Sequence, residues 1–392
     1  MKILSIESSA DETAVSIVNV TGEFPDAHYE LLGNSLRSQV ELHNQYGGIF
    51  PMMAKREHAK AIVPLLKVAL EEAGMLADEA QPLTDTEKTQ LDDILSEREP
   101  ELLVRLTELL ESYGRPEIDL IAVTSGPGLA PALWVGVNFA KALALAWNIP
   151  VVPVNHMEGH ILASIYDIDR DEQLSEVAFP AIALLISGGH TELIHMQTWG
   201  SYEKLGQTRD DAVGEAFDKV ARLMGLPYPG GPAISKLAQK ARVKQLLPFK
   251  DDLPTPMLKS GDLDFSFSGL KTAVRYALDG VTLSETDQMA LARDFEDVVA
   301  TVLLKKSEAA VEQTNAQSLI IGGGVSANQY LRQRFNTHFL ETRPDLTVYF
   351  PMPGLSTDNS VMIALAGHAK LDSKLTPAAA NDLIRADGNK LL

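Results

Sequence analysis

The sequence contains no cysteine among its 392 residues, which excludes disulfides, thiolate metal ligands and thiol nucleophiles. It also lacks a run of eighteen apolar residues and a positively charged leader followed by an apolar stretch. These absences predict a soluble chain without a targeting segment or a membrane anchor. Together with the absence of cysteine, they favour a cytoplasmic location.

Basic residues are scarce, with 34 Lys and Arg against 53 Asp and Glu, so the formal net charge is -19. Such a chain repels nucleic acid as a whole, and any contact with nucleic acid must use a local basic patch or the surface of a partner. Hydrophobic residues make up 45% of the chain, enough for a large core. The length predicts two lobes rather than one domain.

Strand-like and helix-like segments alternate along the chain, which is typical of an α/β fold. The opening "MKILSIESS" and the following "SADETAVSIVNV" predict a β-hairpin whose turn carries Asp11 and Glu12. Later, "AIALLISGGHTELIHMQT" has the same order of strand, glycine turn and strand. This echo predicts two lobes built on one plan.

The same pattern suggests boundaries for the two lobes. We expect an N-terminal lobe over residues 1–165, a C-terminal lobe over 175–355, and a final segment, 356–392, whose helix returns to the N-terminal lobe. Residues from about 76 to 116 are acidic and have helical periodicity in their second half. They predict an insertion that forms one or two surface helices.

Four glycine turns lie at or near predicted strand or helix ends: "TSGPGLAP" (124–131), "LISGGHTE" (185–192), "YPGGP" (228–232) and "IGGGVSAN" (321–328). Glycine lets the backbone approach a ligand, and free N–H groups at a turn or helix start can hold phosphate. A single glycine turn usually only separates two elements. Four of them in a doubled α/β chain favour a nucleotide held in a cleft between the lobes.

The stretch "VNHMEGHI" places His156 and His160 four residues apart on one face of a predicted helix, so both imidazoles can reach one ion. Glu158 lies on the other side of that helix. Asp358, in "LSTDNSVMIA", offers a third ligand, although it could instead cap the following helix. The alternative for the histidines is a pair of inert, hydrogen-bonded side chains. Two imidazoles and one carboxylate suit iron, zinc or manganese.

Seven stretches of the sequence resemble the motifs of a known family. The motifs are "SIESSADETAVSIV", "VNHMEGHILA", "LLISGGHTEL", "DDAVGEAFDKVARLMGLPYPGGP", "FSFSGLKTAV", "GGGVSANQYLR" and "STDNSVMIA", in that order. They are similar to those of the bacterial TsaD family, once described as glycoproteases and related to the catalytic subunit of the KEOPS complex. The family commonly has cysteine where this chain has Ala10 and Ser356. Neither thiol is needed by the chemistry that the resemblance implies.

The resemblance implies an actin-like (ASKHA) fold with two lobes, each with a mixed sheet flanked by helices, and a ligand cleft between them. It implies transfer of a threonylcarbamoyl group from threonylcarbamoyl-AMP to the exocyclic amine of the adenosine next to the anticodon, in tRNAs that read ANN codons. It also implies TsaB-like and TsaE-like protein partners and one divalent metal ion, with Fe²⁺ expected first and Zn²⁺ as the alternative.

Carried over motif by motif, the resemblance assigns His156, His160 and Asp358 to the metal. It places Asp11 and Glu12 in the cleft as catalytic residues, Asp11 as a base or as a group that orients the amine; the alternative for Asp11 is a hairpin-turn residue. The expected adenylate-binding residues are Leu185, Ile186, Ser187, Gly188, Gly189, Asp218, Gly231 and Asn328. The alternatives are an exposed helix carboxylate for Asp218 and a helix cap for Asn328.

Three other functions stay open at the level of the sequence. A metalloprotease is one, but the chain lacks the HExxH order, which puts the general-base glutamate on the wrong face of the helix. An ATPase or kinase of the same fold is the second. The third is a non-catalytic scaffold, which would have no reason to keep two histidines and Asp358 together with every glycine turn.

Overall fold

The computed structural model describes residues 1–77, 80, 82–169, 172–249 and 253–392. The chain divides into two compact units. The first consists of Met1–Leu42, Ile49–Ser175 and Asp358–Leu392, and the second of His43–Gly48 and Glu176–Thr357.

The elements of the first half of the chain alternate as the sequence predicts. In chain order they are β1 (Lys2–Glu7), β2 (Glu12–Thr21), β3 (His28–Ser38), α1 (Val40–Asn44), α2 (Pro51–Glu72), α3 (Asp85–Leu95), α4 (Pro100–Ser112), β4 (Leu120–Gly126), α5 (Ala130–Trp147), β5 (Val151–Asn155), α6 (His156–Ala163), β6 (Tyr166–Asp167) and β7 (Gln173–Leu174).

The remaining elements repeat this alternation and then return to the first unit. They are β8 (Ala181–Ile186), β9 (Thr191–Met196), β10 (Tyr202–Gln207), α7 (Val213–Leu223), α8 (Gly230–Val243), α9 (Ser268–Ala277), α10 (Glu285–Thr314), β11 (Ser318–Gly322), α11 (Gln329–Thr342), β12 (Thr347–Tyr349), α12 (Val361–Ala369) and α13 (Pro377–Leu383).

Each unit contains one mixed sheet, and the two sheets share a plan. The first has the strand order β5-β4-β1-β2-β3-β7-β6 and the second β10-β9-β8-β11-β12. In both, three consecutive strands form an antiparallel meander, and two later strands add in parallel beside the first of them. The predicted α/β class, with two mixed sheets flanked by helices, is therefore confirmed.

The central strands, which form the parallel pairs, are buried on both faces, as expected where helices cover both faces of a sheet. Every residue of β4 and of β8 is buried. β1 and β2 form the predicted hairpin, with register from Lys2↔Asn19 to Glu7↔Ala14. Asp11 lies in its turn, whereas Glu12 is already the first residue of β2.

The acidic stretch after α2 forms two helices with one buried face each. Thr84 and Glu87 form a capping box that begins α3, with the Glu87 carboxylate accepting from Thr84 N at 2.7 Å. The inner leucines of both helices, Leu91, Leu95, Leu102, Leu106, Leu109 and Leu110, belong to the hydrophobic core of the first unit. The sequence predicts one or two surface helices here, and the structure has two helices whose outer faces are exposed while their apolar stripes pack on the core of the first unit.

Among the described residues, one helix, α5, is long and apolar enough to cross a membrane by length and composition. Of that stretch, 72% is buried inside the protein. This burial is what the central helix of a folded core shows, since α5 packs against the first sheet and α2.

Leu106→Ala should destabilise the first unit by about 2 to 5 kcal/mol, because it leaves a cavity at a fully buried position of α4. The matched control is Val104→Ala in the same helix, where the side chain is 57% exposed and the expected change is about 0.5 kcal/mol or less. Urea denaturation measures both. Equal effects of the two substitutions would show that α4 does not pack as described.

Candidate active site

The two histidines of the sequence motif lie on α6, a short helix whose eight residues are all buried. Asn155 caps it, since its side-chain Oδ1 accepts from Met157 N at 2.9 Å. The cap makes His156 the first helical residue and places His160 one turn later on the same face. The imidazole rings meet edge to face, with their centroids 4.7 Å apart.

Asp358 joins the two histidines, as predicted. Its Oδ1 lies 3.3 Å from His156 Nε2 and 3.1 Å from His160 Nε2. One ligand atom from each of the three residues lies within 4.8 Å of the others. The alternative role for Asp358, capping α12, falls to its neighbour, because Asn359 Oδ1 accepts from Met362 N at 3.0 Å.

Glu7 holds the far side of His156. Its Oε2 lies 3.0 Å from His156 Nδ1 and accepts from Thr124 Oγ1 at 2.6 Å. Ser9 Oγ also lies 3.2 Å from His156 Nδ1. A carboxylate on one imidazole nitrogen fixes the ring and directs the other nitrogen outward, as in the outer shell of many metal sites. Here the other ring nitrogen of His156, Nε2, lies beside Asp358.

The electrostatics of this cluster favour a cation. Burial opposes ionisation of Asp358, but His156 and His160 hold the pKa of that carboxyl well below its usual range. Burial alone would lower the pKa of His156, yet Asp358 and Glu7 raise it well above the ordinary value. Burial likewise opposes the charge on Glu7, whose pKa is nevertheless lowered by His156.

The donor set fits a divalent metal ion. His160 is buried, and among the described residues neither of its ring nitrogens has a hydrogen-bond partner. Its Nε2 lies 3.1 Å from Asp358 Oδ1, but the geometry of this contact is not that of a hydrogen bond. Two imidazoles and one carboxylate that converge in this way can hold one ion. Glu158 lies outside the cluster, as the helical geometry predicts, and pairs with Lys370 Nζ at 2.6 Å.

Asp11 and Glu12, the predicted catalytic pair, lie at the end of the hairpin in the same unit. Asp11 is buried, and its backbone carbonyl accepts from Gln39 N at 2.9 Å. Burial, and then the charge of Asp11, raise the pKa of Glu12 to about 10. Its Oε1 accepts from Ser38 Oγ at 3.0 Å. This shift favours the protonated form of Glu12, which can donate a hydrogen bond as well as accept one.

In the second unit, the glycine turn after β8 leaves its backbone open. Leu185 and Ile186 are fully buried in β8, so their side chains belong to the core and only their backbone is placed near the turn. Ser187 N donates to His190 O at 2.9 Å, which closes the turn. Gly188 and Gly189 are exposed and face open space.

The other predicted adenylate-binding residues lie around the start of α8 in the same unit. Asp218 on α7 accepts from Gly230 N at 2.7 Å, next to Gly231. Asn328 Nδ2 donates to Ser235 Oγ, on α8, at 2.9 Å. Asn328 also caps α11, because its Oδ1 accepts from Leu331 N at 3.0 Å. The capping alternative for Asn328 is therefore present in the structure.

Two further glycines pack the elements of this unit against the turn after β8. A Cβ on Gly214 would lie 2.6 Å from Ser187 O, and one on Gly323 would lie 2.5 Å from Ile186 O. Gly214 is the second residue of α7, the helix that carries Asp218, and Gly323 lies five residues before Asn328. Glycine at both positions thus brings these segments together with the turn.

The glycine turn after β4 has a different use. Gly128 N donates to Gly388 O at 3.2 Å, and Asp387 N donates to Ser125 O at 2.8 Å. The C-terminal segment of the chain therefore lies on this turn, whose glycines permit close packing of protein on protein. This turn therefore has the role that is usual for a single glycine turn, which is to separate two elements and let another part of the chain pack closely.

Two sheets of one plan, a buried His–His–Asp cluster and an open glycine turn define a doubled α/β protein of the actin-like class. The family model described as "TsaD: tRNA N6-adenosine threonylcarbamoyltransferase" matches residues 30–82 and 101–365, and the chain belongs to this family. The gap between the two matched ranges, residues 83–100, contains α3 and the first residue of α4.

Relatives of nearly the same length are similar throughout. A protein of Polynucleobacter necessarius subsp. necessarius is 42% identical over 387 residues, which cover 95% of this chain and 93% of the relative. A protein of Aromatoleum aromaticum is 42% identical over 367 residues, which cover 94% of this chain and 90% of the relative. Both are described as tRNA N6-adenosine threonylcarbamoyltransferases.

Gly128→Ala should lower the stability of the first unit by about 2 to 4 kcal/mol. The residue has φ +152°, and its new Cβ would lie 2.6 Å from Ser9 O, beside the His156 ring. Chemical denaturation measures the loss. Gly269→Ala is the control, because that glycine is helical and faces open space. Similar small effects at both positions would contradict the packing described for this turn.

Proposed function

We propose that the chain transfers a threonylcarbamoyl group from threonylcarbamoyl-AMP to N6 of the adenosine next to the anticodon in tRNAs that read ANN codons. The observation that carries the proposal is the convergence of His156, His160 and Asp358 in a chain of this family. A scaffold would gain nothing from a buried cluster of this kind, which is costly unless it is paired or bound to an ion.

The reaction is an acyl transfer from a mixed anhydride. The amine nitrogen forms a bond to the carbamoyl carbon, the bond from that carbon to the phosphate oxygen breaks, and AMP leaves while the nitrogen loses a proton. Because AMP is a good leaving group, direct attack by the amine needs no side-chain nucleophile. A chain without cysteine can therefore carry out this chemistry.

His156, His160 and Asp358 would hold one divalent ion, Fe²⁺ in our proposal and Zn²⁺ as the alternative. When bound, the ion supplies a Lewis acid that polarises the carbamoyl carbonyl. Glu7 fixes the His156 ring through Nδ1. Asp11 acts as the base or orients the amine, and the protonated Glu12 supplies a hydrogen-bond donor beside it.

The second unit would hold the adenylate. The backbone from Leu185 to Gly189, above all the exposed Gly188 and Gly189, offers N–H groups to the phosphate. Asp218 would accept from ribose hydroxyls. Gly231, at the start of α8, and Asn328 complete the set. The H-bonded positions of Asp218 and Asn328 around α8 support a common role for these residues.

We infer that the reaction takes place in the cytoplasm, with tRNA as the acceptor and TsaB-like and TsaE-like proteins as partners. The charge of -19 opposes tRNA at long range, since tRNA is a polyanion. Partner subunits would supply basic surface or an ordered conformation that this chain lacks.

Replacing His156 or His160 with Ala should remove the bound metal, because either change leaves two ligands for an ion that needs at least three. Elemental analysis of the purified protein measures it, with about one ion per wild-type chain expected. His195→Ala is the control, since this buried histidine of β9 in the second unit lies 3.3 Å from Glu203 and does not belong to the group of candidate ligands. Equal metal in the wild type and a His156, His160 double variant would refute the assignment.

Asp218→Ala combined with Asn328→Ala should weaken the binding of AMP by at least about tenfold, since each change removes a polar group from the segments around α8. Isothermal titration calorimetry on the folded double variant measures this loss. Undiminished affinity would count against the nucleotide site in the second unit.

The function itself is tested by mass analysis of tRNA nucleosides after incubation with the donor. With its partner proteins the chain should produce threonylcarbamoyladenosine. Alone at physiological salt it should transfer poorly, because of the unfavourable net charge. Multiple turnovers without any partner would contradict the role given to partners.

Three other outcomes would favour the alternative functions. Phosphorylated products would favour a kinase, peptide cleavage a protease, and no product at all with partners present a scaffold.

A further inference from the structure

Glu296 of α10 is a fully buried carboxylate to which the proposed reaction gives no role. Its Oε1 accepts from Ser235 Oγ at 2.7 Å and from Asn328 Nδ2 at 2.8 Å. Its Oε2 accepts from Arg242 Nη1 at 2.5 Å. A buried carboxylate is stable only with such partners, so both oxygens are committed to three side chains from two segments, α8 and the loop before α11.

This network determines the rotamer of Asn328. The amide oxygen caps α11 through Leu331 N, and the amide nitrogen is shared between Glu296 and Ser235. An asparagine amide has two N–H donors, and both have partners here. A nucleotide can take a hydrogen bond from this amide only if the bond to Glu296 or the bond to Ser235 is lost.

The same carboxylate also fixes α8. Ser235 lies four residues after Gly231 and therefore one turn along the same face of that helix. Gly230, at the start of the helix, is held by Asp218 from α7. Glu296 thus connects the start of α8 to the loop that carries Asn328, and these are the two segments assigned to the nucleotide.

We propose that Glu296 is a positioning residue for the adenine-nucleotide site, and that Ser235 transmits its effect. Glu296 holds Asn328 and the first turns of α8 in the arrangement that receives the nucleotide. It touches no substrate itself. The inference rests on the proposed function, because it takes Asn328, Asp218 and Gly231 as the residues that surround the adenylate.

Glu296→Gln tests this with little change of volume. A glutamine cannot accept from Ser235, Asn328 and Arg242 at once, because one of its two terminal atoms is a donor. The expected result is a Kd for AMP that rises about tenfold, with a matching rise in KM for the adenylate donor and a kcat within about twofold of the wild type.

Asp297→Asn is the matched control. This neighbouring carboxylate accepts from the other terminal nitrogen of Arg242, Nη2, at 2.5 Å, and it is 38% exposed at the side chain. Its replacement weakens an ion pair with the same arginine but leaves the bonds from Glu296 to Ser235 and Asn328. AMP affinity and KM should therefore stay at wild-type values.

An AMP Kd unchanged in folded Glu296→Gln would overturn the inference, and so would a loss of kcat at constant KM. Should that variant fail to fold by circular dichroism, Ser235→Ala decides: a weaker AMP affinity supports the proposal and an unchanged one overturns it. Failure of the proposed function gives a different result. In that case the wild type with its partners forms no threonylcarbamoyladenosine, whatever the AMP affinities of the variants.

Discussion

The contact between Glu7 and His156 is the interaction on which the arrangement of the His–His–Asp cluster in the first unit depends. Both groups are buried, and each stabilises the charge of the other. Glu7 ends β1, Thr124 on the adjacent β4 donates to it, and His156 begins the helix after β5. Three neighbouring strands of the sheet therefore converge on one imidazole. Because parallel strands end at the same edge, this sheet can deliver such groups to one point.

The second unit uses the same sheet plan for a different purpose. At the end of β8, the strand that corresponds to β1, the chain has Ser187 and two exposed glycines instead of a buried carboxylate. Glu296, a buried acid of this unit, lies on a helix and accepts hydrogen bonds from Asn328 and Arg242 instead of facing histidines. One architecture thus brings imidazole and carboxylate side chains together in one copy and leaves an exposed glycine turn in the other.

Helical and strand periodicity make the fold class and the histidine pair predictable from the sequence. The four-residue spacing of His156 and His160 defines a shared face whatever the fold, and the alternation of elements gives the doubled α/β class. The partner of His156 could not be found in that way. Glu7 ends a strand in which three of six residues are apolar and five are buried, but only the pairing of β1 with β4 and the approach of α6 show what this acid binds.

Glycine patterns were less specific, for a physical reason. A glycine shows that something approaches the backbone closely, and the approaching group can be a ligand or another part of the chain. At Gly188 and Gly189 the space is open, whereas at Gly128 it is filled by Ser9 and the C-terminal segment. Asn328 shows the same ambiguity, since one amide caps a helix and also binds Glu296. Only tertiary contacts separate these cases.

The charge of the first unit's cluster limits what can bind there. Two carboxylates, Glu7 and Asp358, surround His156, and the raised pKa of Glu12 keeps that third acid neutral. An ion bound there would replace the proton on His156 and leave both imidazoles neutral. A divalent cation would then balance the two negative charges, whereas a monovalent cation would leave a net negative site. Under the proposed function, an anionic acyl adenylate would then meet no repulsion from the cluster. A bound divalent cation would in this way let a chain with a net charge of -19 accept a phosphate-bearing donor beside two carboxylates.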